Sequence, residues 1–339
     1  MKQVILCRAY GDFIIALETA SRSILLENKH TLNDQHESLN DIQSLPEQYE
    51  GLPNNQTLDI QQIQCSEIKL VASMHLKPLY DAIPAEFKNP NIVIEFVDFG
   101  IKGSLLRAFT NKYLLHPSTL VQLNRLKKWL HQQPLHHTFI LEQAYRKKIL
   151  QWFTGKSFLH IAEGSNVYEQ FERFFNAAPA NVKSITESAA VNNTMLNVEM
   201  ILGKQERSIA QDEINNKQRI LILPVARMAF KHIPIAICKQ IQAMHVLQGQ
   251  TVQVAYFNNS IHGNQTLDEP IYYHNFNALV QLILSADLIY CPDSLAMHLA
   301  FLFRKPHIVL HPAKPAPGFL TPYALQHHSH FNFESFNLA

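Results

Sequence analysis

Glycine is scarce, at 10 of 339 residues. The chain holds no Gly-x-Gly-x-x-Gly turn and no P-loop, so dinucleotide dehydrogenases and P-loop kinases lose support. Cysteine is as sparse: Cys7, Cys65, Cys238 and Cys291 are scattered, with no Cys-x-x-Cys pair. That argues against a disulfide framework and reads as buried, reduced thiols in a reducing compartment. No apolar run approaches the roughly 20 residues of a bilayer span, and the one at residues 1–7 is too short for a signal-peptide core. A Gly-x-Ser-x-Gly elbow is missing too, as is any Asp-x-Asp triplet of a metal-clamped sugar-nucleotide site. Nor does either sign of charge dominate, with 29 Lys plus Arg against 28 Asp plus Glu. The expectation is a soluble, cytoplasmic, globular protein, which at this length suggests about two domains.

What is present is a chain 47% hydrophobic and 17% charged, with enough apolar material for two cores. Short apolar strands are predicted at residues 4–7, 68–72, 91–97, 139–141 and 158–161. They recur at 219–223, 251–256, 288–291 and 307–310. Between them run predicted helices, among them 12–22, 145–153, 233–247, 278–285 and 294–303. Continuous short strands alternating with amphipathic helices indicate parallel sheets covered on both faces. The polar, aperiodic stretch 203–218 reads as a linker between an N-terminal domain, 1–190, and a C-terminal domain, 215–339. Residues 24–66 read as an inserted surface excursion, because 27–62 is polar and rich in Asn and Gln. The last residues are expected to return to the N-terminal domain.

The neutral total hides an asymmetry. Residues 102–156 carry ten bases and one acid, Glu142, for a net +9 that the remainder of the chain balances. Most charge runs are solvated helix faces. Nine uncompensated charges exceed what solubility needs and suggest an anionic partner. Lys127-Lys128 and Arg146-Lys147-Lys148 stand beside Trp129, Leu130, Ile149 and Trp152, the composition of a face resting on an anionic, partly apolar surface.

In doubly wound sheets, ligands bind at the carboxyl ends of strands, beside helix N-termini. Two such junctions carry an acid: Arg8-Ala-Tyr-Gly11-Asp12, and Cys291-Pro-Asp293-Ser294-Leu295-Ala296-Met297-His298. On spacing alone, both aspartates read as helix caps, each contributing about 1 kcal/mol. His307 and His311 have an HxxxH spacing, but on a strand the rings do not share a face as they would on a helix, so zinc is not expected.

The run Ala286-Asp287 through Asp293-Ser294-Leu295-Ala296-Met297-His298-Leu299-Ala300, ending in Arg304-Lys305-Pro306, resembles the donor signature of the lipopolysaccharide heptosyltransferases, glycosyltransferase family 9. Gly11-Asp12 followed by Leu17 is similar to that family's N-terminal turn, and Phe230-Lys231-His232 falls in family order. Glu18 stands where the family has proline, and Leu295 where it has glycine. The resemblance implies an α/β GT-B fold, two doubly wound Rossmann-like domains facing across a cleft. It implies inverting, metal-independent transfer of a sugar from a nucleotide diphosphate sugar, ADP-heptose in the best-known members, to a lipopolysaccharide core or similar anionic glycan. No cofactor is implied, and peripheral association with the inner face of the cytoplasmic membrane is.

By that resemblance Asp12 is the catalytic base, with Arg8 and Gly11 on the acceptor side. Lys231, Asp293, Ser294, Leu295, Ala296, Met297, His298 and Arg227 hold the donor. The chemistry agrees, since an inverting transfer needs a carboxylate near the acceptor hydroxyl and, without a metal, positive stabilisation of the leaving diphosphate from a lysine and helix-start amides. A non-catalytic nucleotide-sugar-binding relative, suggested by Leu295, and a nucleotide-sugar epimerase remain the alternatives.

Overall fold

The computed structural model describes residues 2–6, 10–43, 67–98, 117–132, 138–140, 166–176, 218–257, 270–312, 317–334 and 336, with Trp152 and Gly155 singly. Two separate parallel sheets organise it. The first runs β3 (Ile92–Val97), β2 (Ile68–Ser73), β1 (Lys2–Leu6), β4 (Thr138–Ile140), with Val4 opposite both Leu70 and Phe139. The second runs β10 (His330–Asn332), β9 (His307–His311), β8 (Leu288–Pro292), β5 (Arg219–Ile222), β6 (Thr251–Phe257), β7 (Ile271–Tyr273). From β5 the chain winds outward through β6 and β7, then returns to β8 on the other side and winds out through β9 and β10. The winding reverses between β5 and β8, and that reversal opens a crevice at the strands' carboxyl ends.

Side-chain alternation along β5 divides the core. Ile220 and Ile222 face α5 (Ile235–Leu247), where they join Ile237, Cys238, Ile241 and Leu310. Leu221 and Leu223 face the other way, into a larger cluster that continues without a break into the first half. Its centre is the start of α1 (Tyr10–Gln43), where Phe13, Ile14, Ile15, Ala16 and Leu17 are all buried. A helix apolar all round must be covered all round. The first sheet, α4 (Val167–Asn176) and α7 (Leu295–Leu302) cover α1. Beside this seam α2 (Lys77–Ala82) meets α6 (Phe276–Ser285), and Phe87 meets Phe303 at 4.8 Å between ring centres. The described helices are completed by α3 (Pro117–His131) and α8 (Pro322–Gln326).

Two expectations are corrected. Residues 27–43 continue α1 instead of opening a surface excursion. Their polar composition was informative about solvent, not about backbone: between Gly11 and Pro46 there is neither glycine nor proline to stop the helix. The last described residues stay with the second half, where Phe336 is buried against Tyr290 and Phe331. Cys238 and Cys291 are buried free thiols. Residues 44–66, the linker 203–217, the strand expected at 158–161 and, Trp152 apart, the helix expected at 145–153 lie outside the described residues.

Candidate active site

The second sheet's reversal point holds a cavity of about 840 Å³. One wall follows β5. Leu223, Val225, Ala226, Arg227 and Met228 line it, and the loop is pinned at its neck, where the Ile233 amide donates to the Pro224 carbonyl at 2.9 Å. The His232 imidazole is hydrogen-bonded to the Ala226 carbonyl at 2.8 Å, and a short 3-10 turn, Ala229–Lys231, closes the arch. This geometry brings Lys231 Nζ to donate to Asp293 Oδ2 at 2.5 Å. The ammonium has three protons and the carboxylate uses one, so the pair orients Lys231 while leaving it able to meet a second anion.

The opposite wall follows β8. Asp293, Ser294, Leu295 and Ala296 all line the cavity. Ser294, extended, is the residue before α7, and its side chain makes no capping hydrogen bond. Its Oγ is buried with no partner among the described residues. The first amides of α7 therefore lack a side-chain cap, the condition in which a helix start receives an anion. Neither aspartate is a cap: Asp293 lies one residue too early, and α1 already begins at Tyr10, which puts Asp12 inside its first turn. The capping readings fail by one and three residues.

Aromatic groups close the remaining sides. Phe257 at the end of β6 and Tyr273 at the end of β7 lie 5.5 Å apart. Burial pushes the Tyr273 phenol up to about 12. His274, Asn275, Phe276 and Asn277 follow, Asn275 capping α6 by accepting from the Ala278 amide at 2.9 Å. From the first half come Tyr10 and Pro78. Of these, the second-half residues did not stand out in the sequence, though the ends of strands were the place to look; β7, at three residues, was too short to mark its own end.

Of the residues expected from the sequence, Lys231, Asp293, Ser294, Leu295, Ala296 and Arg227 meet in this cavity. The side chains of Met297 and His298 do not line it. Met297 is fully buried in the shared core. His298 points into the seam, its Nδ1 2.9 Å from the Tyr168 hydroxyl, and burial pulls it down to about 4, which outweighs the nearby Asp293. On its other side lies Gly11, where a Cβ would stand 2.9 Å from His298 Cδ2. Asp12 is 7% exposed and is not a lining residue. Arg8 lies outside the described residues. His307, on β9, uses both ring nitrogens, one with the Lys305 carbonyl at 2.9 Å and one with Thr321 Oγ1 at 2.7 Å.

No protein-family model and no curated protein matches the sequence. Solved structures do match the fold. A family 9 glycosyltransferase from Veillonella parvula aligns at TM-score 0.53 and 11% identity, over 98% of this chain and 85% of that one. The E. coli heptosyltransferase WaaC, solved with ADP, aligns at 0.50 and 10%, over 98% and 92%. E. coli ADP-heptose lipopolysaccharide heptosyltransferase II aligns at 0.50 and 12%, over 98% and 90%. On that likeness, and on its two parallel sheets, the chain has the α/β GT-B fold of the family 9 glycosyltransferases.

Proposed function

We propose that the protein is an inverting glycosyltransferase that moves heptose from ADP-heptose to an anionic glycan or glycolipid. The observation that carries this reading is the convergence, in one cavity at the sheet's reversal point, of Lys231, Asp293 and the uncapped start of α7. Similar folds solved with ADP, or named for ADP-heptose, support the choice of donor. In this mechanism the acceptor hydroxyl attacks the anomeric carbon from the face opposite the diphosphate. The bond from that carbon to the diphosphate oxygen breaks, and a carboxylate takes the hydroxyl proton. Lys231 and the α7 amides carry the charge that develops on the leaving diphosphate, so we propose no metal requirement. Asp293 orients Lys231 and is left to accept from the donor. Asp12 is the proposed base, because it is the carboxylate nearest in sequence to Tyr10, a first-half side chain that reaches the cavity.

The test combines calorimetric titration of ADP and ADP-heptose with a transfer assay in EDTA. Asp12→Asn is expected to cut transfer by about 10²- to 10⁴-fold with donor affinity nearly unchanged. Lys231→Ala is expected to weaken ADP and ADP-heptose alike, because its charge acts in the ground state as well as the transition state. Unchanged transfer by Asp12→Asn removes Asp12 as base, and failure of the native protein to bind either ligand removes the glycosyltransferase reading.

We further propose peripheral association with an anionic membrane face through residues 102–156. Within that stretch α3 exposes Arg125 and Lys128. Lys127, on the same helix, is half-buried, and the other basic residues of the stretch, Arg146, Lys147 and Lys148 included, lie outside the described residues.

A further inference from the structure

Nearly all the polar side chains of the cavity come from the second half, including Arg227, Lys231, His274, Asn275, Asp293 and Ser294. From the first half only Tyr10 and Pro78 line it among the described residues. Among the described residues, the Tyr10 phenol is thus the single side-chain hydrogen-bonding group that the first half adds to this wall.

Its position is fixed from several sides. The ring meets His75 edge-on at 5.6 Å and Phe276 at 4.8 Å, tilted by 57°. His75 is itself held, its Nδ1 2.8 Å from Ser73 Oγ. The next residue, Gly11, is seated on His298 too closely to admit a Cβ, which fixes the start of α1 against α7. The hydroxyl makes no hydrogen bond to a described residue, and burial raises the phenol above its ordinary value, so it remains a proton donor. A group already held in place loses little freedom when it binds a ligand.

We infer that Tyr10 is a specificity-determining residue of the donor site, its hydroxyl hydrogen-bonding a hydroxyl of the sugar carried by the nucleotide. This rests on the glycosyltransferase reading. The division of labour follows from topology. Lys231 and α7 belong to the second half and meet the diphosphate, whereas the sugar has to lie toward the half that holds the acceptor. Tyr10 stands on that side, and a site built to hydrogen-bond a hydroxyl discriminates against ligands that lack it.

Tyr10→Phe keeps the ring contacts and deletes one oxygen. Calorimetric titration of the native protein and this variant with ADP and with ADP-heptose tests the assignment. The expected result is an ADP-heptose Kd raised about 3- to 10-fold, with the Kd for ADP unchanged. An unchanged Kd for ADP-heptose, or equal weakening of both ligands, overturns the assignment and leaves Tyr10 as a wall. A native protein that binds neither ligand overturns the reading of the whole site and this assignment with it, an outcome distinct from a native protein that binds both.

Discussion

At Gly11 two residue-scale effects compete. An alanine inside a helix is favoured over glycine by about 1 kcal/mol, so on propensity alone Gly11→Ala would stabilise α1. The Cβ it adds would stand 2.9 Å from Cδ2 and 3.2 Å from Nε2 of a histidine that is itself buried and bonded to Tyr168. A ring held in this way cannot step aside as a flexible side-chain end would. Overpacking therefore wins, and Gly11→Ala is expected to cost about 1–3 kcal/mol in chemical unfolding. An unchanged or higher midpoint would mean that the His298 ring yields. The same scale explains what the sequence concealed: Tyr10 precedes a recognisable Gly-Asp pair and carries no signal itself, because its partner Phe276 is supplied by the other half of the chain.

Between elements, the seam of α1, α4 and α7 holds a half-buried ionic group. Arg22 on α1 reaches Glu172 on α4 at 2.6 Å and Glu18 at 3.2 Å, and its guanidinium lies 5.9 Å from the centre of the Phe301 ring on α7. Burial pushes Glu18 from 4.5 up to about 7, in spite of Arg22. Folded protein then holds a proton that the unfolded chain has released, so this group favours the fold below pH 4.5 and loses that contribution as pH rises through 7. His298 and His307 work in the opposite sense. Each is lowered by burial from 6.5 to about 4, so their contribution is complete above pH 6.5 and is lost as pH falls toward 4. Two histidines outweigh one glutamate, and the native melting temperature is expected to fall between pH 6.5 and 4.5. Glu18→Gln removes the opposing term, so its decline over the same window should be steeper. Parallel melting curves for the two proteins would show that Glu18 titrates normally.

The strands at β5, β6, β8 and β9 were legible to within two residues, because buried parallel strands are continuous apolar runs. α4 was legible and unread: Val167, Tyr168, Phe171, Phe174 and Phe175 follow a helical period and are all buried. β7 and β10, at three residues each, were not legible, since pairing with a neighbour and not local pattern makes them strands. Lys231, Asp293 and Ser294 could be placed together only through the resemblance, because 62 residues separate the ion pair.

For the whole molecule, the uneven distribution of charge has a direct test. Attraction of basic residues to an anionic bilayer amounts to about 1 kcal/mol per nearby charge and is screened by salt. The protein is expected to co-sediment with anionic but not neutral vesicles, to be released by salt, and to bind less when Arg146, Lys147 and Lys148 are changed together to Gln. Equal binding to both kinds of vesicle would return the stretch to an ordinary solvated surface.

The apolar cluster that runs from the first sheet through α1 and α7 into the second has a thermodynamic consequence. Separating the halves would hydrate Phe13, Leu17, Met297 and Leu299 together, so neither half keeps its interior when the other is lost. Heat is then expected to melt both in one cooperative transition, and any ligand held on the second sheet to raise the melting point of the first sheet as much as its own. Broad rocking of one half on the other would open that interior to water and is expected to be suppressed. Movement at the site is left to small parts of the wall, of which the exposed arch carrying Met228 and Phe230 is the least covered.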